Sequence, residues 1–166
     1  MNQLKEKNAA GVAPFTLRPA RPDDVPFLYE LYCSTRAEEV AAWGWGTEQR
    51  ETFLKMQFGA QQRGYRQFAG ADHRLILLGG RPVGRILVSR SAQEIRLADI
   101  ALLPENRNCG IGSLLIRELQ AEAKETGKPL RLRVITFNRA ARLYERLGFS
   151  LVASDGSHCQ MEWLPE

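Results

Sequence analysis

The chain has 166 residues, 44% of them hydrophobic and 25% charged, and its 23 Lys and Arg against 19 Asp and Glu leave a formal net charge of +4. It is long enough to bury one full core, and no segment approaches the roughly 20 apolar residues that a membrane-spanning helix needs. The positive balance suits a protein that handles a polyanionic small molecule. It is too modest for a nucleic-acid surface, because the arginines are dispersed and the densest stretch (Arg131, Arg133, Arg139, Arg142 and Arg146) has the spacing of solvated faces.

In chain order, residues 1–14 (MNQLKEKNAAGVAP) are polar and small, contain no apolar run of signal-peptide length, and read as a mobile tail ahead of a single domain over 15–166. Strand signals fall at 15–18, 74–79, 83–90, 94–103, 130–136, 149–154 and 158–164, with helical periodicity at 23–37, 48–63, 112–126 and 138–147. That alternation predicts a mixed α/β (α+β) protein. Gly79-Gly80 between LILL and RPVGRILV has the composition of a tight hairpin turn, so the second and third strands should run antiparallel. A crossover through helix 112–126 should make strands 94–103 and 130–136 parallel neighbours. Cys33, Cys109 and Cys159 form an odd set without metal-ligand spacing, which points to reduced thiols in a cytoplasmic protein and to no metal site.

The segment RNCGIGSLL (107–115) places an arginine and two glycines where a strand gives way to a helix. A backbone free of Cβ atoms at a helix start can bring several N–H groups against a bound phosphate. A P-loop is excluded because Gly112 is followed by Ser113 and Leu114 rather than by lysine. A dinucleotide fingerprint fails as well, since it needs a small residue at Leu115 and a first glycine directly after the strand. The remaining pattern, Arg-x-x-Gly-x-Gly with Pro104 three residues before the arginine, resembles the pyrophosphate loop of the GNAT superfamily of N-acetyltransferases. A second block, NRAARLYERLGF (138–149), resembles the other wall of that family's acyl-CoA cleft, with Asn138, Ala141, Tyr144, Gly148 and Phe149 in its positions. The resemblance covers residues 15–164, most specifically 94–149.

This resemblance implies a GNAT-type fold: a mixed, mostly antiparallel sheet of about seven strands, four flanking helices, and a splayed parallel pair that forms the acyl-CoA cleft. Strands that part expose backbone groups to which an extended, amide-bearing ligand can pair. The implied co-substrate is acetyl-CoA, with its pantetheine arm along Ile100, Ala101 and Leu102 and its pyrophosphate at Arg107, Asn108, Cys109, Gly110, Ile111, Gly112 and Ser113. Asn138, Ala141 and Tyr144 would line the opposite wall. The implied reaction is direct attack of a primary amine of a small molecule or peptide on the thioester in a ternary complex. Tyr144 is the candidate acid for the leaving thiolate, and a main-chain N–H near residues 100–102 is the candidate oxyanion donor.

The resemblance implies a carboxylate base on or beside the fourth strand, for which Asp99 and Glu94 are the candidates. Simple alternation sets Asp99 opposite Ile100 and Leu102 and sets Glu94 on their side but farther along, and a bulge would swap these expectations. Against a catalytic role, Asp99 could pair with Arg96 or Arg131, and Glu94 could be a solvated strand-end residue. Between the first two helices, Glu38, Glu39, Trp43 and Trp45 could hold a cationic acceptor through charge and cation–π contact, or the indoles could anchor the loop to the core. Phe53, Met56 and Phe58 read as packing, and His73 and His158 as structural. Two alternatives stay open: a non-catalytic acyl-CoA-binding sensor module, and a transferase for a different acyl-CoA such as propionyl- or succinyl-CoA. No nucleic-acid or membrane partner is expected, and homodimerisation through the last strands is compatible with the resemblance.

Overall fold

The computed structural model describes residues 12–68, 70–136 and 138–166. Most of the expected tail, residues 1–11, and Phe137 at the end of the fifth strand signal lie outside them. Among the described residues, β1 (Phe15–Pro19), β2 (Ala71–Leu78), β3 (Arg81–Arg90), β4 (Ile95–Leu102), β5 (Leu130–Ile135), β6 (Ser150–Ser154) and β7 (His158–Trp163) form one sheet. Its order is β1-β2-β3-β4-β5-β7-β6, with β4 and β5 parallel and every other neighbouring pair antiparallel. Four α-helices accompany it: α1 (Val25–Ala41), α2 (Thr47–Arg66), α3 (Ile111–Thr126) and α4 (Ala140–Arg146). The mixed, mostly antiparallel sheet with four helices is the architecture expected from the sequence.

Each helix is sorted to a face of the sheet by its apolar stripe. Ile111, Leu115, Ile116, Leu119 and Ala123 recur at helical spacing along α3 and join Ile86, Val88, Ile95, Leu97, Leu130 and Leu132 in the larger core cluster. Burying side chains of this size contributes about 1.5–3 kcal/mol each. Leu28 and Tyr32 of α1 meet Phe58 of α2 over Leu75 in a second cluster. β5 shows the alternation most clearly, with Leu130, Leu132 and Val134 buried and Arg131, Arg133 and Ile135 exposed. Gly79 and Gly80 both have positive φ, at 53° and 79°, as the tight β2–β3 hairpin requires. Ahead of α1, both guanidinium ends of Arg18 donate to the Asp24 carboxylate at 2.7 Å, which also accepts from the Arg21 amide.

Two local expectations need correction. α1 runs on to Ala41, so Glu38 and Glu39 lie in its last turns and not in the connection; nothing in AEEVAA breaks a helix, and Arg36 and Glu39 form an i,i+3 ion pair across it. Met56 does not pack: it is 58% exposed, because two helical positions rotate it about 200° away from the buried Phe58.

The feature that positions the site is a register shift in β4. Leu87 pairs with Asp99 but the next residue, Val88, pairs with Leu97, so Ala98 is an extra residue in the strand. At the same point β4 and β5 part. They pair only at Ile95↔Leu130, Arg96↔Arg131 and Leu97↔Leu132, after which β4 continues against β3 alone and β5 against β7 alone. Residues 98–102 are therefore left with a strand neighbour on one side only.

Close packing at Gly84 holds β3 against this open strand: a Cβ there would lie 2.4 Å from the Ala101 carbonyl oxygen and 2.7 Å from Leu102 Cδ2. Gly84→Ala should therefore destabilise the protein by about 1–3 kcal/mol through overpacking. Urea unfolding checks this, and a change within the roughly 0.5 kcal/mol typical of surface substitutions contradicts it.

Candidate active site

Past the end of β4 the chain makes a 3-10 turn (Pro104–Asn106) and enters the glycine-containing loop. Asn108 has φ +59°, the only non-glycine with positive φ among the described residues, and Gly110 has φ +86° as the residue before α3. A Cβ on Gly110 would lie 2.8 Å from Val12 Cγ2, so that side chain would have to shift, and the positive φ strains any other residue here. No side chain caps this helix, and its first turn closes with the Leu114 amide donating to the Gly110 carbonyl at 3.1 Å. The amides of Ile111, Gly112 and Ser113 precede that bond and have no partner within the helix, at the positive end of its dipole. Arg107 pins the loop: its Nε donates to the Leu102 carbonyl at 2.9 Å, and Nη2 lies 3.5 Å from the carbonyl and hydroxyl oxygens of Ser34. The exposed Cys109 thiol turns back to the Arg107 carbonyl at 3.3 Å.

On the other side of the parting, β5 leads into the start of α4. The Asn138 side-chain oxygen accepts from the Ala140 amide at 2.9 Å, and its carbonyl accepts from the Ala141 amide at 3.0 Å, so it caps the helix as the sequence suggests. Tyr144 is only 6% exposed and meets Phe149 edge-to-face at 5.7 Å. Gly148 follows at φ +85°, and Gln120 of α3 donates to the Leu147 carbonyl at 2.7 Å, fixing the end of α4 against α3. The loop 107–113 and the unpaired edge of β4 thus come from the first sequence block and the Tyr144 helix from the second, each following one strand of the parted pair.

The bulge brings the two carboxylates to one face of the sheet, at different levels along β4. It sets Asp99 on the face of Leu87 and also moves Glu94 to that face, so Glu94 no longer shares the side of Ile100 and Leu102. Glu94 sits next to the start of β4, 2.8 Å from Arg96 and 2.9 Å from Arg131. Burial works to raise its pKa, but the hydrogen bonds from these two arginines together hold it below the usual carboxylate range. Asp99 lies at the parting of the strands. Its partner is neither Arg96 nor Arg131 but Arg85 of β3, whose Nε donates to Oδ2 at 2.6 Å.

Arg85 is the residue that the sequence reading missed. Its side chain is 3% exposed, Nη2 donates to Gln61 Oε1 at 2.8 Å and to the Tyr65 hydroxyl at 3.1 Å, and its guanidinium carbon stacks 4.9 Å from the Tyr65 ring centre. A signal was present in RPVGRILV, where one charge interrupts an apolar strand two residues from Leu87, but its partners lie 14, 20 and 24 residues away.

Trp43, Trp45 and Phe53 form a mutual aromatic cluster with ring centres 4.8–5.4 Å apart. Trp45 and Phe53, with Glu48, Gln49, Thr52 and Met56, line a cavity of about 450 Å³. Glu38 is exposed, whereas Glu39 is held by Arg36 at 2.6 Å. His158 contacts the Ser157 hydroxyl at 2.9 Å. Among the described residues no group of three or more His, Cys, Asp or Glu could hold a metal ion, and no helix is long and apolar enough to cross a membrane.

The acetyltransferase (GNAT) domain model matches residues 65–151, from the end of α2 into β6. The sequence is 38% identical over 71 residues to a ribosomal protein bS18 alanine N-acetyltransferase of Haemophilus influenzae. That match covers 42% of this chain and 49% of the relative, so it spans about half the length of that curated protein. The PaiA N-acetyltransferase of Thermoplasma acidophilum, solved in complex with coenzyme A, superposes with a TM-score of 0.69 at 20% identity, covering 91% of this chain and 99% of that one. An acetyltransferase of Thermus thermophilus gives 0.68 at 18% identity, covering 93% and 99%. At these identities the structural likeness is one of fold.

Burial, and after it the charge of Asp99, pushes the Tyr144 phenol up to about 12. In the unfolded chain it ionises near 10, so its effect on stability is nil below pH about 10, and stability is lost as pH rises from there towards 12. Between those values Tyr144→Phe should flatten the pH dependence of unfolding free energy by up to about 1.4 kcal/mol per pH unit. Alkaline denaturant titrations of the two proteins measure this, and equal slopes would contradict the assignment.

Proposed function

The chain belongs to the GNAT family of acetyltransferases, and from that premise we propose that it moves an acetyl group from acetyl-CoA to a primary amine of a small molecule or peptide, with residues 15–166 acting as one domain. The observation that supports this reading most is the parting of β4 and β5 after Leu97 and Leu132, with the uncapped helix start at Gly110 following β4 and the helix of the largely buried Tyr144 following β5.

The fit to acetyl-CoA follows from the backbone. Pyrophosphate oxygens would take the amides of residues 109–113, with Arg107 and Asn108 shaping the loop and Arg107 adding charge. The pantetheine amides would pair with the free edge at Ile100 and Ala101; the Leu102 carbonyl already accepts from Arg107, which places the loop arginine at the end of that ladder. Asn138 and Ala141 would flank the opposite side. The thioester supplies an activated acyl group, and the protein must hold the amine against it, take up the ammonium proton, favour the developing oxyanion and protonate the thiolate.

Asp99 is assigned as the base, directly or through one water, because it stands at the strand parting and its charge reaches Tyr144, whereas Glu94 is tied to two arginines next to the start of β4. Arg85 fixes the orientation of Asp99. A main-chain N–H of residues 100–102 would donate to the oxyanion. Tyr144, kept neutral by burial far above pH 7, gives its proton to the departing sulfur. Trp43 and Trp45, with Glu38 and Glu39 on the adjoining helix end, are assigned to acceptor contact through their π faces and negative charge.

Release of CoA from acetyl-CoA, measured against polyamines, aminoglycosides, amino acids and peptide N-termini, should show turnover with at least one class; no amine-dependent release would overturn the enzymatic reading. Tyr144→Phe should lower kcat at least about tenfold with CoA affinity nearly unchanged, and full turnover in that variant removes Tyr144 from the mechanism. In pH–rate profiles Asp99→Asn should lose the acidic limb that Glu94→Gln keeps. A limb retained in both variants would exclude both carboxylates.

A further inference from the structure

Asp99 is held from two elements, and only one of them is the neighbouring strand. From β3, the buried guanidinium of Arg85 donates through Nε to Oδ2 at 2.6 Å. The other element is α2. Gln61 and Tyr65 lie about one turn apart on that helix, and Gln61 Oε1 and the Tyr65 hydroxyl both accept from Arg85 Nη2, at 2.8 and 3.1 Å. The Tyr65 ring also stacks on the guanidinium, 4.9 Å from its carbon.

A phenol that accepts from Arg85 still has its own proton to place. Burial pushes the Tyr65 phenol up and the charge of Asp99 pushes it further; the charge of Arg85 opposes them, and a hydrogen bond to the Asp99 carboxylate adds to the rise. The hydroxyl therefore stays protonated and is a donor toward Asp99. Stacking on Arg85 needs only an aromatic ring, which phenylalanine would supply. The hydroxyl does something more, because it joins the guanidinium to the carboxylate. The other titratable groups that feel the charge of Asp99 are Tyr144 on α4 and His73 on β2.

We propose that Tyr65 is a positioning residue for Asp99: its ring steadies Arg85 by stacking, and its hydroxyl, set between that guanidinium and the carboxylate, fixes the carboxylate and favours its ionised form. This rests on the reading of Asp99 as the base, and it makes α2 part of the proton-accepting apparatus. The same helix carries Phe53, packed against Trp43 and Trp45, about two turns before Gln61. Acceptor contact and base orientation thus share one element. A donor that favours the carboxylate anion also makes it a weaker base, so removing the hydroxyl should raise the pH at which Asp99 takes up a proton.

Tyr65→Phe keeps the ring and removes only the hydroxyl. With carbon-13 labels in the aspartate carboxyl and tyrosine ring carbons, the intact chain is titrated by NMR without acetyl-CoA or acceptor. In the unsubstituted chain the Tyr65 Cζ resonance should move at the pH where the Asp99 carboxyl resonance moves. In Tyr65→Phe, checked for a native circular dichroism spectrum, the Asp99 midpoint should rise by about 0.5–1 pH unit. The acidic limb of kcat/KM should rise with it, while KM for acetyl-CoA stays as it was. Gln61→Leu, which takes a partner from Arg85 but no donor from Asp99, should move the midpoint less. A Tyr65 resonance insensitive to Asp99, a midpoint unmoved or lowered in Tyr65→Phe, or an equal rise in Gln61→Leu would overturn the inference. The resonances need no turnover, so they decide the role of Tyr65 toward Asp99 even where the acidic limb survives in Asp99→Asn and the base assignment falls.

Discussion

One extra residue in β4 organises this molecule. Ala98 interrupts the β3–β4 ladder, and the parallel ladder to β5 ends at the same level, after Leu97 and Leu132. A strand that loses a neighbour leaves amide and carbonyl groups without partners, and such groups are stable only against water or against a ligand that supplies them. The flanking strands do not follow the opening: β3 stays close against β4 at Gly84, and β7 stays paired to β5 over six residues. The gap is therefore flanked by strands that keep their own ladders. It is lined by backbone, which is the surface an amide-bearing chain can read.

The same bulge separates chemistry from packing. Residues before it present Ile95 and Leu97 to the α3 core, and residues after it present Ile100 and Leu102 to the same core, although the two sets differ in parity. Asp99 consequently faces the other way, toward α2 and Arg85. On that face charge is ordered along the strands. Glu94, Arg96, Arg131 and Glu162 form one linked set near the start of β4, held among themselves, while Asp99 and Arg85 form another at the strand parting. Removing one member of a pair as buried as the second leaves an uncompensated charge, which costs more than the loss of an exposed pair. Tyr144, its phenol held protonated by burial, belongs to the apolar cluster on the other face of the sheet.

The parts of this arrangement that were legible in the sequence are those set by local conformation. Gly110 at φ +86° and Gly148 at φ +85° need residues without a Cβ, Asn138 is a capping residue, and the α3 stripe has a simple period; each of these leaves a mark within a few residues. What escaped was set by partners distant in the chain. An arginine in an apolar strand carries no mark of its role until Gln61, Tyr65 and Asp99 stand around it, and the partner of Asp99 lies across the hairpin on β3 instead of on its own strand or on β5. The bulge was visible only as an alternative, because ADIAL alternates acceptably in either frame. The end of α1 was misplaced because AEEVAA favours a helix, while the turn composition that follows begins only at Trp43-Gly44.

The central claim is that the parted strand and the helix start it leads to form one ligand surface. Amide hydrogen exchange with and without coenzyme A tests it residue by residue. The account predicts slowed exchange confined to residues 98–103 and 107–113, with the β1–β2 edge unchanged. Protection elsewhere with none in those two segments, or no protection at saturating coenzyme A, would contradict it.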